Sequence, residues 1–298
     1  MEIKEKGKLR IKGKVVAQQP MSELTSLRIG GIADFFVVPE DLEDLRAVLD
    51  FCRENELLFF IIGNGTKLLV RDEGFRGVVI KLGNSFKQIE NHGKEIKVGA
   101  GVSLPVLINF AAEKSLSGLE SLAGIPGTVG GAIVRNAGAF GQTLSQRILS
   151  IKVLDGNNSD LTLSKEDVKF GYRTSSFLGK KEWVIIEIGL SLFPGEKREI
   201  LMRLEGAKKK KAITQPLSFP SAGCVFKNPP SFSAGLLIQQ AGCAGMRVGD
   251  AQVSLQHANF IINRGKATAK DMISLMREVQ ERVKDKFGIT LETELEII

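Results

Sequence analysis

Between Gly124 and Gly141 the chain reads GIPGTVGGAIVRNAGAFG, eighteen residues of which six are glycine. Glycine forgoes side-chain packing and costs conformational entropy, so a glycine cluster inside an apolar run needs a reason. Close approach of a ligand to bare backbone is one such reason. Phosphate oxygens suit it, because successive N–H groups in tight turns form an anion-binding concavity. An unliganded glycine corner accounts for one cluster equally well.

A second cluster, Gly63-Asn64-Gly65-Thr66-Lys67, directly follows the apolar run Leu57–Ile62, which reads as a buried strand. A strand ending in G-N-G-T presents several N–H groups, an amide and a hydroxyl at its tip, and Lys67 would add a charge for a diphosphate. No G-x-G-x-x-G follows a strand, and G-x-x-x-x-G-K-[ST] is absent. A bound nucleotide would thus be held by neither a Rossmann unit nor a P-loop.

The 298 residues, 43% of them hydrophobic, suffice for two or three domains with cores of their own. No apolar run approaches the ~18 residues that span a bilayer. Met1 to Lys14 lacks the apolar centre of a signal peptide, so the expected location is the cytoplasm. Cys52, Cys224 and Cys243 show no C-x-x-C spacing and are expected to be free thiols. With only His92 and His257 beside them, no metal site is expected. The net charge of +7 has its densest source in Lys208–Lys211, at the end of a helix expected from Lys197. Without interleaved aromatics that run reads as a solvated helix end, and no nucleic-acid partner is expected. The positive balance suits small anionic substrates.

The expected elements mix without a regular βαβ repeat, which gives α+β. Strands are expected at Phe35–Val38, Leu57–Ile62, Val78–Leu82, Ile96–Gly101, Ile148–Leu154, Trp183–Phe193, His257–Asn263 and Thr290–Ile298. Helices are expected over Asp41–Asn55, Leu104–Lys114 and Ala234–Ala241. Thr268 to Asp271 has the pattern of a helix start, ahead of an apolar stripe from Met272 to Phe287. Three islands carry reactive groups: an arginine among hydroxyls in Gly171–Phe177, a thiol after glycine in PSAGCVFKNP from Pro220, and Glu292 with Glu294, which period two would set on one strand face. Singly, each has a dull explanation as an ion pair, a small buried thiol or a solvated face.

Taken in order, these islands resemble the UDP-N-acetylenolpyruvoylglucosamine reductase family (MurB) over nearly the whole chain. The resemblance starts at TSLRIGGIAD from Thr25 and passes through GNGTKLLV, the long glycine motif, GYR and SAGCVFKNP. It continues through GDAQVS from Gly249 and HANF from His257 to the closing LETEL. It implies a two-domain FAD-binding fold of the p-cresol methylhydroxylase type plus a C-terminal α+β substrate-binding domain. The expected boundaries are 1–83, joined by the terminal strand 290–298, then 84–196 and 197–289. FAD, bound without a covalent tether, would be held by Gly63, Asn64, Gly65, Thr66, Lys67, Gly124, Ile125, Pro126, Gly127, Thr128, Gly130, Gly131, Ala132, Asn136, Gly138 and Ala139. Arg173, Cys224 and Glu294 fall at the family's catalytic positions, and Tyr172, Lys227, Asn228 and His257 where substrate is held. The implied reaction is NADPH-dependent reduction of UDP-N-acetylglucosamine enolpyruvate to UDP-N-acetylmuramate, by a monomer.

The chain departs from the family pattern in carrying Cys224 where serine is usual, and a thiol of pKa ~8.5 is the better acid. Lys67, Arg135 and Thr293 also replace more usual residues. The sole tyrosine is Tyr172 itself, so this chain resembles the shorter branch that lacks a lid tyrosine. The glycine motifs alone leave open another FAD-dependent oxidase or dehydrogenase of the same fold, because fold does not fix reaction. A nucleotide- or RNA-binding protein without enzymatic activity is the more distant alternative.

Overall fold

Apolar runs and alternating segments become strands in the computed structural model, which describes residues 9–298. Most of the N-terminal stretch weighed against a signal peptide, residues 1–8, lies outside the described residues. Contacts group the chain into two units. The first comprises the described residues through Ala17 with Asp34–Gly63 and Arg76–Lys209; the second comprises Gln18–Ala33, Asn64–Phe75 and Lys210–Ile298.

Two sheets organise the first unit. One has the order Lys14–Pro20, Ile32–Val38, Phe75–Ile80, Phe59–Ile61, the last two parallel with Phe59 opposite Val78 and Ile61 opposite Ile80. The other is antiparallel, in the order Asp160–Ser164, Ile148–Leu154, Val184–Ser191, Glu95–Gly99, Ile89–His92. Helix α1 (Leu42–Glu54) starts at Asp41, whose carboxylate accepts from Asp44 N, and its stripe Leu45, Val48, Leu49 and Cys52 is buried as the spacing predicts. Helices α2 (Leu104–Glu113) and α3 (Val129–Val134) join one apolar cluster with both sheets, and α4 (Lys197–Thr214) adds Ile200 and Leu204 to it. Lys208, Lys209 and Lys210 on α4 are exposed.

The second unit has a four-stranded antiparallel sheet, Ser221–Cys224, Phe260–Asn263, Ala251–Val253, Arg247–Val248, with helices α5 (Ala234–Gln240) and α6 (Ala269–Phe287). Thr268 and Asp271 form a reciprocal cap on α6, and Gly288 ends it at φ 70° with its N–H on Lys284 O. Between these caps Met272, Leu275, Met276, Val279 and Val283 are buried, each contributing about 1.5–3 kcal/mol by burial. Among the described residues no helix is long and apolar enough to cross a membrane.

The largest departure from expectation is at the C-terminus. In place of a strand over Thr290–Ile298, only Glu296–Ile297 is a strand, parallel to Leu68–Leu69. Upstream the chain runs along a different edge: Lys227 N donates to Glu292 O, Thr293 bridges Phe226, and Glu294 N donates to Val225 O. A segment that changes partners midway does not keep a two-residue period. Glu292 is accordingly exposed and Glu294 buried, so the two carboxylates do not share a face.

Candidate active site

Gly63, the residue of the second cluster that belongs to the first unit, meets the long glycine motif there. A Cβ on Gly63 would lie 2.5 Å from Thr128 Oγ1, so only glycine lets the strand tip reach the second motif. Thr128 caps α3, its hydroxyl accepting from Gly131 N. Ile125 N bonds Leu122 O, and Gly127 O accepts from Leu104 N, which fixes the turn around Gly124 and Pro126. Part of the glycine content is plain packing. Gly130 lies against Ala100, where a Cβ would come within 3.0 Å of the alanine methyl. Gly138 and Ala139 pair with Thr143 and Gln142 in a short hairpin. Ala132 is buried in the first unit's core.

The loop from Gly63 to Lys67 is pinned from outside. Gly65 adopts φ +60°, and a Cβ there would meet Leu24 O at 2.1 Å. Its carbonyl accepts from Ser26 N at 3.1 Å. Among the described residues no protein acceptor takes the N–H groups of Gly63, Asn64, Gly65 or Thr66. Four successive donors left without protein partners fit a phosphate. A second indication is Asn136: it is buried at φ 43°, its Nδ2 donates to Gly171 O at 2.9 Å, and its Oδ1 has no partner. A buried amide oxygen left unsatisfied costs about 1–3 kcal/mol, so a donor from a bound group is to be expected there. On these two observations the residues present fit FAD.

Asn136 also ties the glycine motif to the arginine island. Gly171, whose carbonyl it holds, pairs with Thr174 across a two-residue turn made of Tyr172 and Arg173. Ser175 Oγ donates to Val134 O at 2.7 Å, a second strut from the same turn to the end of α3. Arg173 stands at φ 56°, and its guanidinium lies 5.4 Å from the exposed Tyr172 ring. A non-glycine residue in the left-handed region is strained, and the struts on both sides hold it there.

In the second unit the thiol and carboxylate islands lie side by side. Gly223, at φ +72°, precedes Cys224 in an interruption of the ladder between Ser221 and Cys224. Such a bulge re-aims the side chain that follows it. Lys67 Nζ donates to Cys224 O at 2.6 Å and lies 3.0 Å from Glu294 Oε1, with the Glu294 side chain only 9% exposed. Sequence reasoning aimed Lys67 at a diphosphate; its ammonium instead occupies this pair. Lys227 reaches Glu292 at 3.2 Å. Asn228 Oδ1 accepts from Ala234 N at the start of α5, and the His257 ring packs on Gly235 of the same turn.

Asn259, not singled out by sequence, is the scaffold of this island. Its amide accepts from Phe226 N at 2.9 Å and donates to Phe226 O at 2.8 Å while 2% exposed. The signal available was a polar residue inside the apolar run A-N-F-I-I-N. His257 Nδ1 accepts from Asn259 N, and burial holds its pKa below the ordinary 6.5. The unfolded chain therefore takes up this proton first, and stability is lost as pH falls below about 6.5. The thermal midpoint should drop more between pH ~7.5 and ~5.5 in the wild type than in His257→Gln; equal slopes would remove His257 as the cause.

Residues 33–164 match the family model of an FAD binding domain, and residues 215–298 match that of the UDP-N-acetylenolpyruvoylglucosamine reductase C-terminal domain. The UDP-N-acetylenolpyruvoylglucosamine reductase of Caldanaerobacter subterraneus subsp. tengcongensis is 43% identical over 96% of this chain and 94% of its own length. That of Bacillus subtilis is 40% identical over the same shares. The crystal structure of UDP-N-acetylenolpyruvylglucosamine reductase from Thermus caldophilus is similar at a TM-score of 0.83, with 38% identity, covering 97% of this chain and 99% of that one.

Proposed function

This chain belongs to the UDP-N-acetylenolpyruvoylglucosamine reductase family, FAD-binding oxidoreductases of peptidoglycan precursor synthesis, and from that premise we propose how its own residues divide the reaction. FAD, when bound, supplies the hydride relay from NADPH to the methylene carbon of UDP-N-acetylglucosamine enolpyruvate. Gly63 to Thr66, the turn Gly124–Thr128 and the Asn136–Ala139 segment hold the cofactor. The two sheets within residues 14–80 and 89–191 mark the two FAD-binding subdomains, parted near residue 83; α4 packs Ile200 and Leu204 into the first unit, so the substrate domain begins beyond that helix.

Hydride arrival at the methylene carbon leaves negative charge on C2 and the carboxylate of the substrate. Arg173 neutralises that charge from a turn whose backbone is braced by Asn136 and Ser175, so the turn needs little reorganisation when the charge appears. Cys224 carries the proton that C2 takes up. Glu294 serves as the carboxylate of its ion pair with Lys67, and Tyr172, Lys227, Asn228 and His257 hold the nucleotide sugar. The observation that carries this reading is the pairing of the Cys224 segment with the Glu294 segment through Val225, Phe226 and Thr293. The protein acts in the bacterial cytoplasm, where NADPH and the sugar nucleotide are made, and as a monomer.

Purified protein is expected to be yellow, to lose its visible band with NADPH, and to recover it anaerobically with the enolpyruvyl sugar. Recovery only with oxygen would place it among the oxidases of the fold instead. Acid precipitation should release the colour. The first unit's only His and Cys are His92, exposed beside Glu90, and Cys52, buried in α1 with its thiol pKa pushed up to about 12. Neither is suited to tether a flavin; colour retained in the pellet would contradict this.

A further inference from the structure

We infer that Lys67 is a positioning residue for Glu294 and for the Cys224 backbone, not a phosphate ligand, an inference that rests on the assignment of Cys224 and Glu294 above. Its ammonium has three donors. One is directed at Glu294 Oε1 at 3.0 Å and one at Cys224 O at 2.6 Å. Both partners belong to the paired segments that carry the thiol and the carboxylate, so one cation crosslinks two segments 70 residues apart in sequence. The path is tight: a Cβ on Gly223 would come 3.5 Å from Nζ, and the lysine side chain keeps only 28% of its exposure. Charge-assisted bonds of this kind, partly shielded from water, fix both groups more firmly than neutral ones.

The loop bearing Lys67 is itself anchored. Ser26 holds Gly65 O, and Ser26 Oγ donates to Ser221 O at 2.8 Å, just ahead of the bulge that aims Cys224. Lys67 O in turn accepts from Glu296 N at 3.0 Å, two residues beyond Glu294. Backbone and side chain of Lys67 therefore grip the carboxylate segment from two sides. The donors of Gly63 to Thr66 immediately precede it. The same short loop offers its N–H groups to the cofactor and its lysine to the carboxylate.

The test uses FAD-saturated holoenzyme. Lys67→Met is expected to bind FAD within about threefold of wild type, by flavin fluorescence titration, and to be bleached by NADPH within about threefold. Its reoxidation by the enolpyruvyl sugar should fall by about 10 to 10², the scale on which a misplaced group loses rate. Lys67→Arg, which keeps charge and donors, should recover most of that loss. Lys67→Met combined with Glu294→Gln should be no slower than Glu294→Gln alone, because the lysine acts through the carboxylate. Should Lys67→Met not fold, Lys67→Gln, neutral and one bond shorter, gives the same comparison. A FAD affinity reduced by about tenfold or more with normal reoxidation at saturation, or additive losses in the double variant, overturns the inference. Wild-type enzyme that the sugar does not reoxidise overturns the underlying assignment instead.

Discussion

Arg173→Ala should slow reoxidation by the enolpyruvyl sugar by about 10²–10³ while leaving bleaching by NADPH within about threefold, the loss known for removal of one fixed transition-state donor. The asymmetry follows from when the charge exists. The anion that Arg173 meets forms on the substrate only after hydride reaches the methylene carbon, and nothing comparable is present while NADPH reacts. The structure strengthens the expectation, because Arg173 is held at φ 56° on a two-residue turn braced by Asn136 through Gly171 and by Ser175 through Val134. Strain maintained by its surroundings is what a preorganised cation requires. Arg173→Lys should restore only part of the rate, since a point charge does not reproduce the planar, bidentate fork. Stopped-flow measurement of the two half-reactions separates the cases; equal damage to both would remove Arg173 from the enolate.

Cys224→Ala should still be bleached by NADPH but stall with the sugar, slowed by about 10² or more, as for loss of a general acid. Cys224→Ser should retain activity, because a hydroxyl in the same place can still donate. The case rests on position. The thiol follows a left-handed glycine in a ladder interruption, its carbonyl is held by Lys67, and the next residue's carbonyl accepts from Glu294 N at 2.7 Å. Of the other two thiols, Cys52 and Cys243 are buried in apolar clusters, and burial pushes both pKa values up. Pre-reduced Cys224→Ala that reoxidises at the wild-type rate across pH would move the proton source elsewhere, with a water ordered by Glu294 the first candidate.

Much of this protein is legible from residue order alone. The α6 stripe lies between a Thr268–Asp271 cap and Gly288, and α1 begins at Asp41, because caps and helical periodicity act over four residues or fewer. The glycine motifs, the G-Y-R turn and the thiol island are equally local, so sequence alone located them and their resemblance to a family. Tertiary structure decided the rest. Lys67 meets the Cys224 carbonyl across 157 residues, and the amide of Asn136 meets Gly171 across 35. No periodicity encodes such partners. Glu294 is buried while Glu292 is not, since the terminal segment leaves one edge for another partway along. Residues 18–33 and 64–75 pack with the C-terminal third although the chain places them in its first quarter. A side chain's type sets which partners it can accept; which one it receives depends on long-range contacts that only the folded chain brings together.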